Sequence, residues 1–199
     1  MMLVEETQIP VATLPVADLK AHLRLGTGFA DEAIQDGVLE GFLRAALAAI
    51  EARTGQILIA RDFSWLLTRW RKDTGQSMPV APVTAVTELR LIDADGAETA
   101  VDVAQYWLEQ DGLKPVLRPR GACLPTIVTA GQVQVFFTAG FGAAWSDVPV
   151  DLQQAVLLLA AHYYEFRHET SLGGGCMPFG VTSLIERYRP LRIGFEDAS

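Results

Sequence analysis

Apolar residues first fall into a helical rhythm just after Pro15, where Val16, Leu19 and Leu23 share one face. Proline is tolerated in the first turn of a helix, so the spacing predicts a helix starting there and ending before Gly26-Thr27-Gly28. A second helix is predicted from Asp31, a good N-cap followed by Glu32 and Asp36, acids that favour a helix N-terminus. Ile34, Val38, Phe42, Ala46 and Ile50 keep a four-residue step, which predicts a buried stripe, and Gly55 after Thr54 supplies a C′ residue.

The rhythm then changes. From Ile57 to about Gly142 the pattern is short strands and turns. Ile57 to Trp70 reads as one or two strands, Pro79 and Pro82 punctuate, and Val86 to Ile92 partly alternates. Asp95-Gly96 and Asp111-Gly112 are turn signals, and Tyr106 to Gln110, Val116-Leu117 and Val133 to Thr138 complete the strands. Helical spacing returns at Pro149, with Leu152, Val156, Leu159, Ala160 and Tyr163 on one face through about Arg167. Gly173-Gly174-Gly175 breaks it, and a short last helix, about Val181 to Tyr188, ends at Pro190. The order implies an α+β fold: two N-terminal and two C-terminal helices packed together, with an antiparallel β region inserted between them. The expected parts are residues 1–56 and 148–190 as one helical unit, 57–147 as the insertion, and 191–199 as a loose tail.

Composition narrows the classes. Half of the 199 residues are hydrophobic and a fifth charged, enough for a core without staples. Cys123 and Cys176 match no metal or redox spacing. Met1-Met2-Leu3-Val4-Glu5-Glu6 has neither the basic nor the apolar region of a signal peptide, and the longest aliphatic run, Ala155 to Ala161, is too short to span a bilayer, so no membrane partner is expected. The net charge of −8 argues against broad binding of nucleic acid, whose phosphates demand a basic surface.

A search for chemistry yields little. Gly140-Phe141-Gly142 follows a strand but lacks the rest of a phosphate-binding loop. In Asp93-Ala94-Asp95-Gly96, a calcium-loop alignment would put Leu91 at the first ligand position and Asp102 at the last, and neither suits the ion. His162 and His168 are six apart and share no helical face, and His22 is remote. No serine elbow is present. No catalytic, cofactor or metal residue is therefore assigned. Two clusters mix arginine with aromatics: Arg69-Trp70-Arg71, and Arg187, Tyr188, Arg189 and Arg192 with Phe195 beyond. Such mixtures suit protein interfaces.

Several strings, taken in order, carry a resemblance. They are Asp18-Leu19-Lys20-Ala21-His22-Leu23-Arg24, Ile50-Glu51-Ala52-Arg53-Thr54-Gly55, Pro79-Val80-Ala81-Pro82-Val83 and Phe137-Thr138-Ala139-Gly140-Phe141-Gly142. They continue through Gln154 to Glu165, then Pro178-Phe179-Gly180-Val181 and Leu184 to Arg189. The series, from about Leu14 to Pro190, resembles the head–tail connector (adaptor) family of long-tailed phages and their gene transfer agent relatives. The resemblance implies a structural, non-enzymatic subunit at the head–tail junction of a particle assembled in the bacterial cytoplasm. Its partners would be the portal protein, stopper or tail proteins, and itself as a dodecameric ring. DNA would pass through the channel without specific binding. Within that frame Arg187, Tyr188, Arg189, Arg192 and Phe195 are expected to face the portal, and Arg69, Trp70 and Arg71 the tail side or a neighbouring subunit. The competing readings are a cellular protein–protein adaptor unrelated to virions, and an enzyme with a cleft between the helical and β parts that would use Cys123 and His162.

Overall fold

A computed structural model of the chain describes residues 2–25, 32–167 and 177–189. Its four helices are α1 (Val16–His22), α2 (Glu32–Thr54), α3 (Val150–Glu165) and α4 (Phe179–Ile185). Its strands are β1 (Met2–Glu5), β2 (Arg61–Leu67), β3 (Gln76–Ser77), β4 (Val83–Ile92), β5 (Glu98–Ala100), β6 (Tyr106–Glu109), β7 (Val116–Pro119) and β8 (Gln132–Ala139). The fold is α+β, with antiparallel sheets between the helical pairs. The glycine breaks around residues 26–28 and 173–175, the N-cap Asp31 and the tail from Pro190 lie outside the described residues.

Helix α2 buries a different stripe from the one its four-residue step predicts. Leu39, Leu43, Ala46, Leu47 and Ile50 are inaccessible, Phe42 is half-buried and Val38 is exposed. The reason is geometric. At 3.6 residues per turn each four-residue step overshoots by about 40°, so a run of such steps walks around the helix. The buried stripe mixes steps of three and four and stays in place. It meets Leu19 of α1, Leu152, Val156 and Leu159 of α3 and Val181 and Ile185 of α4 in one helical core. Helix α2 ends as expected: Gly55 adopts φ +71° and donates its N–H to the Glu51 carbonyl at 2.8 Å.

Five strands form the larger sheet, in the order β1-β2-β8-β4-β5. The central strand β8 alternates cleanly, with Val133, Val135, Phe137 and Ala139 buried. Phe137 stacks on its cross-strand neighbour Phe63, ring centroids 5.5 Å apart. The smaller sheet, β3-β7-β6, adds Tyr106 and Leu117 to the same apolar core. The hairpin at Asp95-Gly96 forms with Gly96 at φ +83° and Asp93 Oδ1 accepting from the N–H groups of Asp95 and Ala97. Asp111 likewise accepts from the N–H groups of Leu113 and Lys114, which turns β6 into β7 and holds its carboxyl below the usual range. Strand β1 was not visible in the hydrophobic pattern. It pairs with β2 from Met2↔Leu66 to Glu5↔Phe63.

Candidate interaction surfaces

The two cores are joined by short backbone seams. The Ile57 N–H donates to the Ala81 carbonyl at 2.7 Å, and the Ala60 N–H to the Gly142 carbonyl at 2.8 Å. Gly140, at φ +136°, lets the chain lie against Ala60, where a Cβ would overlap the backbone. This gives Gly140 a packing role at the seam.

Beside the seam sits an ion cluster in which Arg61 and Glu51 are buried and Glu5 is exposed. Glu51, from the last turns of α2, accepts from Arg61 Nη1 at 3.0 Å and Nη2 at 2.7 Å and from the Leu58 N–H at 2.9 Å. Glu5 of β1 lies 2.9 Å from Arg61 Nε. Burial alone would lower the Arg61 pKa, but the two carboxylates outweigh it and hold the guanidinium more firmly protonated than usual. The adjoining cleft, about 420 Å³, is lined by Glu5, Gln8, Ile9, Arg44, Glu51 and Arg61. Arg44 donates to the Ile9 carbonyl at 3.0 Å. Every arginine of this cleft has a partner within the chain, and no cysteine or histidine lines it.

The pair on which an enzymatic cleft would rest is not brought together. His162 lies on α3 in the helical part, its ring 4.6 Å from that of Phe166. Cys123 is exposed on the loop beside Leu124, which is anchored in the β core. Cys176 and His168 lie outside the described residues. Among the described residues no three His, Cys, Asp or Glu side chains converge as metal ligands would, and no helix is long and apolar enough to cross a membrane.

Of the C-terminal cluster, the structure places Arg187 and Tyr188 in a 3₁₀ turn that follows α4, with Arg189 as its extended C-cap. Val181 and Ile185 pin α4 into the helical core, and this lays Tyr188 over the start of α3. Its hydroxyl donates to Asp151 Oδ1 at 2.8 Å and its ring meets Phe141 edge-on at 6.5 Å. Burial and the neighbouring Asp151 carboxylate push the Tyr188 phenol up. Arg187 lies over the Tyr188 ring at 5.2 Å, reaches Asp151 Oδ2 at 3.6 Å, and leaves 75% of its side chain exposed. Val150, next to Asp151, is 79% exposed. Arg189 turns to Glu186 at 3.1 Å. The surface therefore presents Arg187 and Val150 on a Tyr188–Asp151 base. Arg192 and Phe195 lie outside the described residues.

The Arg69-Trp70-Arg71 cluster is arranged otherwise. Trp70 packs against the β core and donates its indole N–H to the Pro125 carbonyl at 2.8 Å, so only Arg69 and Arg71 face solvent. An aromatic that the sequence reading passed over, Trp107 of β6, is 42% exposed instead. It sits opposite Arg118, which pairs with Glu109 at 2.5 Å. Alternation in Tyr106-Trp107-Leu108 was the available signal: with Tyr106 and Leu108 turned inward, Trp107 must point out.

Comparison with known proteins places these surfaces in context. No protein-family model matches the sequence, and no curated protein matches it. Solved structures do. The chain is 54% identical, with a TM-score of 0.89, to a chain in the neck of an empty gene transfer agent particle determined with sixfold symmetry, and 98% of each chain is covered. It is 54% identical, with a TM-score of 0.86, to a chain in the virion of a native gene transfer agent particle, over 98% of both chains. A chain in the neck of the native particle, determined with twelvefold symmetry, is 50% identical over 98% of both, with a TM-score of 0.83.

Proposed function

Since this chain belongs to the head–tail connector family, in its gene transfer agent branch, we propose that it is the adaptor subunit that rings the underside of the portal. In this reading twelve copies extend the DNA channel and offer stopper and tail proteins a platform. The observation that carries it is likeness along almost the whole chain, at 54% identity, to a chain of a particle neck. The role is structural, and no catalytic group is assigned.

The physical features support that role. A part through which DNA is packed and ejected must keep its shape, and the seams and the Glu51–Arg61–Glu5 cluster couple helices to sheet without a loose linker. The net charge of −8 suits a channel in which DNA slides instead of being gripped. We treat residues 1–56 with 148–190 as the helical unit and 57–147 as its insertion, except that β1 joins the sheet of the insertion. Arg187, Tyr188 and Arg189, together with Arg192 and Phe195, are assigned to the portal, and the β-region loops with Arg69 and Arg71, held by the inward-turned Trp70, to the tail side or a neighbour. Arginine on an aromatic base is a frequent centre of protein interfaces.

Cryo-electron microscopy of purified portal mixed with this protein tests the reading. A coaxial ring of subunits on the portal is expected. Two folded proteins that form no complex would overturn it.

A further inference from the structure

The larger sheet ends in two open edges, and both carry unused backbone groups. In the β1–β2 ladder the Glu6 N–H donates to the Asp62 carbonyl at 2.8 Å, which makes that pair and every second pair beyond it the hydrogen-bonded ones. Leu3 and Glu5 therefore turn their N–H and C=O groups away from β2. At the far edge the Asp93 N–H donates to the Ala97 carbonyl at 3.0 Å and the Val101 N–H to the Leu89 carbonyl at 2.8 Å, so Glu98 and Ala100 of β5 turn theirs outward. Neither edge finds a partner for these groups among the described residues.

Strand β1 is protected only by its four-residue length and by one charge, Glu5, which is tied to Arg61. It carries no lysine, proline or bulge, and Met2, Leu3 and Val4 are exposed at 57%, 38% and 37%. An unpaired strand edge is complementary to another strand edge. Three antiparallel steps lead from β1 through β2 and β8 to β4 and a fourth leads to β5, so β1 and β5 run in the same direction at opposite ends of one sheet. A repeating contact between copies needs two different faces that fit each other and propagate by rotation. These two edges meet that requirement. A β1-to-β1 contact would stop at a pair.

We propose that β1 of one subunit pairs, in parallel, with β5 of a second copy of this chain, so that the five-stranded sheets of successive subunits join edge to edge. The proposal rests on the ring reading above. It adds which surfaces close the ring, and it is supported by the sixfold and twelvefold repeats of the related necks. With three or four residues per edge each junction is weak, and closure of the ring supplies the cooperativity.

Proline separates this contact from the fold. Leu3→Pro deletes an N–H that points away from β2 and spares the ladder inside the subunit; Ala100→Pro does the same at the other edge. Full-length wild-type and variant proteins, checked by circular dichroism and thermal unfolding, would be assembled on portal and counted by mass photometry and electron microscopy. Each variant should form at least tenfold fewer rings while melting as the wild type does. Neither variant, nor a mixture of the two, should close rings, because every run of edge contacts stops at a pair, and unchanged melting excludes misfolding as the cause. Wild-type rings with undiminished variant rings would overturn the edge contact and leave the adaptor reading standing. Absence of wild-type rings would overturn the adaptor reading itself, and this proposal with it.

Discussion

Two clusters of the same composition, arginine flanking an aromatic, are built in opposite ways. At Arg187-Tyr188-Arg189 the aromatic lies over the start of α3, its hydroxyl on Asp151, and Arg187 rides exposed on its face. At Arg69-Trp70-Arg71 the aromatic turns into the β core, its N–H on Pro125, and the two arginines are left to solvent. Arg61 is a third case, buried with its guanidinium 5.2 Å from the centre of the Phe63 ring and held between the buried Glu51 and the more exposed Glu5. Residue type alone does not decide how such a cluster is built. The partner of the polar atom on the aromatic or the arginine does, and it lies 37 residues away for Tyr188, 55 for Trp70 and 10 for the Arg61–Glu51 pair.

The comparison is sharpest where the arginine is buried. Arg61→Ala should destabilise the protein by about 3–5 kcal/mol, because it strands the Glu51 carboxylate inside. Urea unfolding measures this, and a loss under about 1 kcal/mol would show that the cluster is hydrated and of little structural weight. Trp70→Ala comes next, at about 2 kcal/mol for a half-buried indole with one hydrogen bond. Arg187→Ala should leave the unfolding midpoint where it is and weaken portal binding about tenfold, the loss expected of an interface residue. If Trp70→Ala left stability intact and Arg187→Ala lowered it, the two roles would be reversed.

Tyr188→Phe is the smallest step, about 1 kcal/mol for one hydrogen bond. It carries a pH signature. The folded state raises the Tyr188 pKa, so its contribution is fully present below the ordinary tyrosine value near 10 and is lost as pH climbs through the folded value. Stability curves of the wild type and Tyr188→Phe should therefore converge at alkaline pH, and curves that stay parallel would remove the Asp151 contact from the account.

Much of the fold was legible because its signals are local. Gly55 ends α2 through a positive φ and a bond to Glu51 four residues back, and Asp93 and Asp111 build their turns from N–H groups two to four residues on. Within the helices the stripe of α2 was misplaced, where a constant four-residue step hides the drift of a real helix. The candidate surfaces were half legible. Arg187 and Tyr188 do come together, yet Asp151, which organises them, is 37 residues away from Tyr188. Strand β1 was missed because Met2-Leu3-Val4-Glu5 is too short to alternate and is exposed throughout.

The amino-acid sequence by itself determined the order of helices and strands, the turns between them and an acidic chain without a catalytic motif, since each depends on residues a few positions apart or on composition. Tertiary structure alone decided that β1 closes on β2, that Trp70 packs on the β core, and that Glu51 and the more exposed Glu5 converge on the buried Arg61. Those outcomes hang on hydrogen bonds and ion pairs between residues from 10 to 55 and more positions apart, which form only after the cores have packed and which leave no periodic trace along the chain.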